Sequence, residues 1–132
     1  MHKKRLLKLA DLLEADAKNK KGIKFDMGTW GVTEYGNLSC GTQACAMGLA
    51  ALSGAFKRQG LRAEIYFGDV TVHFGEYEGF AAASELFGIS GGDACWLFSS
   101  SYYDGAMIGA KAECIVAKRI RAFVAEGGSG AA

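Results

Sequence analysis

The residues most suited to chemistry in this chain are a cysteine and a histidine, Cys40 and His73. Cys40 begins a small and apolar stretch that predicts a buried helix over residues 40–58. A thiol in the first turn of a helix lies beside free backbone N–H groups and the positive end of the dipole, and both favour the thiolate. His73 follows on a predicted strand and could act as its base. The pair predicts nucleophilic attack on an amide or ester carbonyl.

The order of a helix-opening cysteine, a strand, and a histidine on the next strand resembles the papain-like superfamily and its small cell-wall amidase branch. In that family a third side chain orients the imidazole, and backbone N–H groups bind the developing oxyanion. The resemblance implies that Glu76 or Glu78 has the first role and that Gly41 or Thr42 has the second. One alternative function is therefore a cysteine hydrolase.

Strand alternation counts against that alternative. Val70, Val72 and Phe74 share one face of the predicted strand, and His73 shares the other with Thr71. A histidine on such a face is typical of a solvated surface position, and the predicted hairpin is smaller than the sheet of the superfamily.

The remaining cysteines have other interpretations. Cys45 belongs to a stripe of bulky apolar residues, and Cys95 adjoins an aromatic residue, so both are predicted to be core residues. Cys114 shares a helix face with three cations, which favour a thiolate, so it is a candidate for a reactive surface thiol. Its alternative is a neutral surface position. The cysteine spacing contains no C-x-x-C pair, so we expect no metal site, and no motif indicates a cofactor.

Composition predicts how these residues are positioned. The chain has 132 residues, half of them apolar, with 19 glycines and no proline, which predicts one globular domain over residues 1–126 and a flexible tail over 127–132. The expected fold class is α+β, a mostly helical domain with a small antiparallel β-hairpin. Besides the helix over 40–58, periodicity and capping predict helices over 3–18 and 80–88, a hairpin of 61–67 with 70–74, a short helix capped by Ser90, and a last helix over 106–125 capped by Asp104.

Charge is unevenly distributed along the chain. Residues 1–24 carry eight of the fifteen basic side chains against three acidic ones, while residues 25–110 carry three basic and nine acidic ones. Basic ends make a nucleic-acid binder a further alternative, dependent on residues Lys3, Lys4, Lys20 and Lys21. Solvated helix surfaces are favoured over it, because no aromatic residues alternate with these charges.

Cellular location can also be predicted from the sequence. Charged residues interrupt every apolar stretch well before about 20 residues, so no membrane span is expected. Four cysteines without a signal peptide favour reduced thiols in the cytoplasm.

A central motif suggests a family. The chain places Trp30 before Cys40-Gly41-Thr42-x-x-Cys45-x-x-Gly48, and this pattern resembles a loose group of small uncharacterised bacterial and bacteriophage proteins. The resemblance spans residues 23–100. It implies a shared fold in which both cysteines belong to a packing signature, and it implies no activity.

Tyrosines in loops and at strand ends favour a binding function over an enzymatic one, because tyrosine is rigid and amphipathic. The loop over 98–104 is the most interface-like segment. We therefore expect a non-enzymatic interaction module that binds a protein partner or a second copy of itself, with candidate contacts at Tyr35, Tyr102 and Tyr103.

Overall fold

Five helices and six short strands make up the described part of the chain, which in this computed structural model comprises residues 1–19, 22–33 and 42–128. The α+β class is confirmed. In chain order the elements are α1 (Lys3–Lys18), β1 (Lys24–Phe25), β2 (Gly31–Val32), β3 (Gln43–Ala44), α2 (Ala46–Ser53), β4 (Leu61–Tyr66), β5 (Asp69–Phe74), β6 (Tyr77–Glu78), α3 (Gly79–Phe87), α4 (Gly91–Phe98) and α5 (Ala110–Ala125).

The strands form one mixed sheet in the order β1-β3-β2-β5-β4, and β6 pairs with β5. The predicted hairpin is confirmed: β4 and β5 are antiparallel in a register that runs from Leu61↔Phe74 to Tyr66↔Asp69. The parallel pairing of β1 with β3 extends the sheet beyond this hairpin. Strands of two residues are too short for side-chain alternation to show in the sequence, so the sequence did not predict them.

Helices cover the sheet and supply most of the core. The apolar stripe of α1, with Leu6, Leu9 and Leu13 fully buried, packs against α5 in the most extensive helix–helix contact of the described chain. Phe87 of α3 joins the aromatic core, with its ring centroid 5.9 Å from that of Phe56 and 5.7 Å from that of Phe98. These contacts join α3 to α4 and to the segment that follows α2.

The helix predicted over residues 40–58 is shorter than expected. It begins at Ala46, because Gln43 and Ala44 are held as β3 between β1 and β2. It ends at Gly54, whose φ of 75° is left-handed and stops an α-helix. A separate 3-10 turn then covers Lys57–Gln59.

The predicted cap of the last helix is also corrected. Asp104 does not cap α5, which starts at Ala110 after Gly109. The preceding residues hydrogen bond to the β1 region: Met27 donates to the Met107 carbonyl at 3.0 Å, and Gly109 donates to the Phe25 carbonyl at 2.8 Å. This pairing holds residues 107–109 outside the helix, so α5 starts later than periodicity indicated.

Two other helix ends follow the sequence more closely. Ser90 is the N-cap of α4 as predicted, and its Oγ accepts a hydrogen bond from the Asp93 N–H at 3.0 Å. At the end of α5 the Gly128 N–H donates to the Phe123 carbonyl at 2.8 Å, so the first glycines of the predicted tail close the helix. Residues 129–132 lie outside the described residues. No described helix is long and apolar enough to cross a bilayer.

Candidate functional site

The proposed catalytic pair is only half described. Cys40 lies outside the described residues, as do Gly41 and Tyr35, so no geometry joins Cys40 to His73 here. His73 is on the outer face of β5, opposite the buried Val70 and Val72, as alternation predicted.

The imidazole of His73 is already engaged. Its Nε2 lies 2.6 Å from Glu64 Oε2, 2.8 Å from Thr71 Oγ1 and 3.8 Å from Glu78 Oε2. The nearest carboxylate therefore comes from β4, whereas the resemblance implied Glu76 or Glu78. The cluster arises from strand register, since Glu64 faces Thr71 across the hairpin and lies diagonal to His73. It ties two strands together on the polar face of the sheet.

Cys45 is buried as predicted, and it also caps α2. Its Sγ accepts a hydrogen bond from the Gly48 N–H at 3.5 Å and lies 4.0 Å from the Trp30 carbonyl oxygen. Only 3% of the residue is exposed. Burial raises the pKa of the Cys45 thiol to about 11, because desolvation outweighs the backbone N–H groups that favour a thiolate. At neutral pH the side chain is a protonated cap, which is unsuited to nucleophilic attack.

A depression of about 250 Å³ adjoins this thiol. Trp30 and Phe80 line it, with ring centroids 4.9 Å apart, and Ser99 and Ser100 form a polar edge. The depression offers aromatic walls and the neutral Cys45 thiol, and none of the described residues that line it carries a charged side chain. Its chemistry supports packing better than catalysis.

The cysteines should differ strongly in reactivity. Cys114 is exposed on α5 and Cys45 is buried, so we expect iodoacetamide at pH 8 to alkylate Cys114 at least about 100-fold faster, since Cys45 reacts only through local unfolding. Peptide mass spectrometry of timed samples measures both rates, and denaturant should abolish the difference. Equal rates in the folded protein would contradict the buried, capping position of Cys45.

The loop that contains Tyr102 and Tyr103 is anchored by an arginine that sequence reasoning did not identify. The Arg119 guanidinium carbon lies 3.9 Å from the Trp96 ring centroid and 3.7 Å from the Tyr103 ring centroid. The Tyr103 hydroxyl donates to the Leu97 carbonyl at 2.7 Å, and burial raises its pKa to about 12. Tyr103 thus holds the loop in place, while Tyr102 remains 49% exposed.

The largest exposed apolar side chains lie at the end of the β4–β5 hairpin. Phe67 is 90% exposed, Tyr66 is 77% exposed, and Ile65 is 40% exposed; we call these three residues the hairpin tip. The Tyr66 and Phe67 rings meet edge to face, with centroids 4.5 Å apart. Val32 of the neighbouring strand β2 adds a fourth exposed apolar residue.

The backbone of the hairpin tip is strained. Phe67 has a φ of 49°, the one positive φ of a non-glycine residue among the described residues, and Gly68 follows with a φ of 86°. Positive φ at both central positions is typical of a type I′ turn, which favours Asn, Asp or Gly at the first position. A bulky aromatic residue in that conformation is rare and is stabilised by no core contact.

The sequence placed Phe67 at the end of the predicted strand over 61–67 and left Gly68 and Asp69 as the turn. In the structure the turn is one residue earlier, at Phe67 and Gly68. The sequence Tyr66-Phe67-Gly68-Asp69 permits either two-residue turn, because Gly-Asp also suits a hairpin loop. The register decides between them: with Tyr66 opposite Asp69, Phe67 is the first turn residue, where its side chain cannot be buried between strands.

Other candidate sites receive less support. Lys3 and Lys4 are exposed at the start of α1, whereas Lys20 and Lys21 lie outside the described residues. Over residues 1–19, 22–33 and 42–128, no group of three or more His, Cys, Asp or Glu side chains could hold a metal ion.

Comparisons of the chain with protein-family models, curated proteins and solved structures gave no match. The resemblance to small bacterial and bacteriophage proteins therefore stays a prediction, and function has to be argued from the geometry above.

Proposed function

We propose that this protein is a non-enzymatic interaction module that binds a protein partner through the hairpin tip. The observation that carries the proposal is Phe67, which is exposed over 90% of its surface and held at a φ of 49°. Left-handed backbone costs an L-residue roughly 1–2 kcal/mol. Because the Phe67 side chain is not buried, its packing does not offset this cost. Binding to another molecule is the best explanation for a phenylalanine at this strained position.

The composition of the hairpin tip also suits a binding surface. Aromatic side chains bury large areas with few rotatable bonds and dominate the energetic centres of protein interfaces. Tyr66 and Phe67 present two such rings side by side, and the exposed Val32 shares the outer face of the sheet with Tyr66, because both residues pair with Asp69. Loss of this exposed area on binding would stabilise a complex without any change in the fold.

We further propose that the module acts in the cytoplasm. Its described cysteines, Cys45, Cys95 and Cys114, are all free thiols, and free thiols persist most readily in a reducing compartment.

Replacement of Phe67 by Asn should stabilise the fold and weaken binding. Asn adopts the left-handed region readily, so we expect Phe67→Asn to raise the free energy of unfolding by about 0.5–1 kcal/mol. The same change removes the more exposed ring of the hairpin tip. Urea unfolding measures the first effect. Binding is measured with the photo-crosslinking residue benzoylphenylalanine at position 67, which should form a discrete adduct in the cells that produce the protein. Added wild-type protein should compete with formation of this adduct, whereas the Phe67→Asn variant should not.

Tyr77 provides the matched control, because it is also exposed, at 47%, but lies away from the turn. Tyr77→Asn should leave competition unchanged, and a photo-crosslinker at position 77 should give no matching adduct. Indiscriminate crosslinking from both positions, or full competition by Phe67→Asn, would refute the proposed role of the hairpin tip.

A further inference from the structure

The strand that leads into the hairpin tip is an edge of the sheet. Within the described ranges, β4 pairs with β5 alone. Tyr66 and Asp69 close a two-residue turn and so form a hydrogen-bonded pair, and alternate residues of β4 bond inward from there. The N–H and C=O groups of Ala63 and Ile65 consequently point away from β5. An exposed edge of this kind is a template for an added strand.

A groove runs beside this edge. It has a volume of about 310 Å³ and lies between the end of α2 and the inner face of β4. Ala51 and Leu52 line it on the helix side, and Ala63 and Ile65 line it on the strand side. A strand added to β4 would place every second side chain over this apolar groove, since side chains of a strand alternate between its faces.

One end of the groove is basic. Lys57 lines it near the start of β4, and the exposed Arg58 follows Lys57 in the chain. Arg62 also borders the groove, but its guanidinium donates to the Gly75 carbonyl at 3.3 Å on the outer face of the sheet. The C-terminal end of α2 is close by and contributes about half a negative charge. Lys8 offsets part of this charge, because its ammonium donates to the Ala55 carbonyl at 2.6 Å. The full cations therefore outweigh the dipole, and this end of the groove favours an anion.

The positive charge at one end of the groove and the chain direction of β4 together indicate which ligand the groove would bind. A peptide antiparallel to β4 runs from the hairpin tip towards Leu61, so its C-terminal end reaches Lys57. We propose that the free edge of β4 binds an extended peptide by strand addition, with apolar side chains at alternate positions in the groove and an acidic C-terminal end against Lys57. This mode combines backbone hydrogen bonds for affinity with pockets for specificity. It rests on the proposed function and names the partner that the module would take.

Two synthetic peptide pools test this inference on the full chain. Both contain peptides of about eight residues with Val, Ile, Leu or Phe at alternate positions; one pool ends in Asp-Asp with a free carboxylate and the other in Lys-Lys-amide. We expect the acidic pool alone to shift the ¹⁵N–¹H resonances of Ala63 and Ile65 and to slow exchange of those two amides at least about tenfold. No shift of any β4 amide at about 1 mM of either pool would overturn the proposal.

Two variants test the contribution of the β4 edge and that of the basic end of the groove separately. Ala63→Pro removes an outward N–H, which edge strands tolerate, and should lower affinity for the acidic pool at least about tenfold. Lys57→Glu should lower it similarly through charge reversal, whereas Lys111→Glu on the distant helix α5 should not. Equal binding by wild type and Lys57→Glu would contradict the inferred polarity.

Failure of this inference can be distinguished from failure of the interaction module. If the peptide pools do not bind but the crosslink at position 67 persists, the proposed interaction module is supported and the inference of peptide binding by strand addition is wrong. A second outcome is a dimer in sedimentation, with the Ala63 and Ile65 amides already protected from exchange without added peptide. That result would show that the β4 edge binds a second copy of the chain, and it would likewise overturn the inference of peptide binding.

Discussion

Gly48→Ala is expected to prevent stable folding. A Cβ at position 48 would lie 1.7 Å from the Trp30 carbonyl oxygen, 2.9 Å from the Trp30 carbonyl carbon and 3.0 Å from the Ala44 Cβ. The closest neighbour is backbone, so no side chain can rotate away. To relieve the clash, α2 must move and release the Cys45 N–H, which donates to the Thr29 carbonyl at 3.1 Å.

The expected loss is about 4 kcal/mol or more, above the usual range for single substitutions and a large share of the stability of a small domain. Circular dichroism during thermal and urea unfolding measures it. Gly91→Ala is the matched control, because a Cβ there has open space in the first turn of α4. That substitution should raise stability by about 0.5–1 kcal/mol. A Gly48→Ala variant within about 1 kcal/mol of wild type would show that α2 does not require this close approach.

The same contacts explain the Cys45-x-x-Gly48 part of the central motif. The Cys45 thiol caps α2, and Gly48 allows the helix to contact the backbone of Trp30 in the β1–β2 connection. The sequence indicated a packing role for Cys45. It could not indicate which backbone group Gly48 approaches, because that group belongs to a segment 18 residues away in the chain.

Local patterns predicted local structure well in this protein. The stripe of α1, the β4–β5 hairpin and the Ser90 cap depend on neighbours within a few residues, and the structure contains all three. Errors arose where distant partners compete with local preference. Residues 43–44 pair with two strands instead of starting a helix, and residues 107–109 pair with the β1 region instead of following Asp104 into α5.

The candidate site illustrates the same division. Alternation placed His73 on the polar face, but its carboxylate partner Glu64 depends on hairpin register. Exposed tyrosines could be proposed from composition, whereas Arg119 between Trp96 and Tyr103 depends on how α5 packs against α4. Backbone strain at Phe67 could be predicted only by considering the turn type together with the residue type at that position.

A buried carboxyl group between α1 and α5 had no counterpart in the sequence reasoning. Glu113 is 1% exposed and faces Asp16 of α1, and one oxygen of each carboxyl has no hydrogen-bond partner in the structure. Burial, then the hydrogen bond and charge of Asp16, raise the pKa of Glu113 to about 9. Nearby on the same interface, Arg121 pairs with Asp11 and Glu14 and keeps those carboxylates compensated. Glu113 therefore holds its proton at neutral pH.

The raised pKa makes stability fall as pH rises. Below the unfolded pKa of about 4.5 both states hold the proton, and stability does not depend on Glu113. Between about 4.5 and 9 only the folded state holds it, so the free energy of unfolding decreases by up to about 1.4 kcal/mol per pH unit.

Glu113→Gln should remove this pH dependence, because Gln is neutral and nearly isosteric. At pH 7 the variant should be more stable than wild type by about 3 kcal/mol, and the gain should vanish near pH 4.5. Urea unfolding from pH 4 to 9 measures both curves. Glu85→Gln makes the same change at an exposed position of α3 and should track wild type. Asp16→Asn removes the facing charge and should shift the falling limb to lower pH only if the two carboxyls are coupled. Parallel wild-type and Glu113→Gln curves would mean that Glu113 ionises in the folded protein, and the α1–α5 interface would then have to admit water or a cation to stabilise that charge.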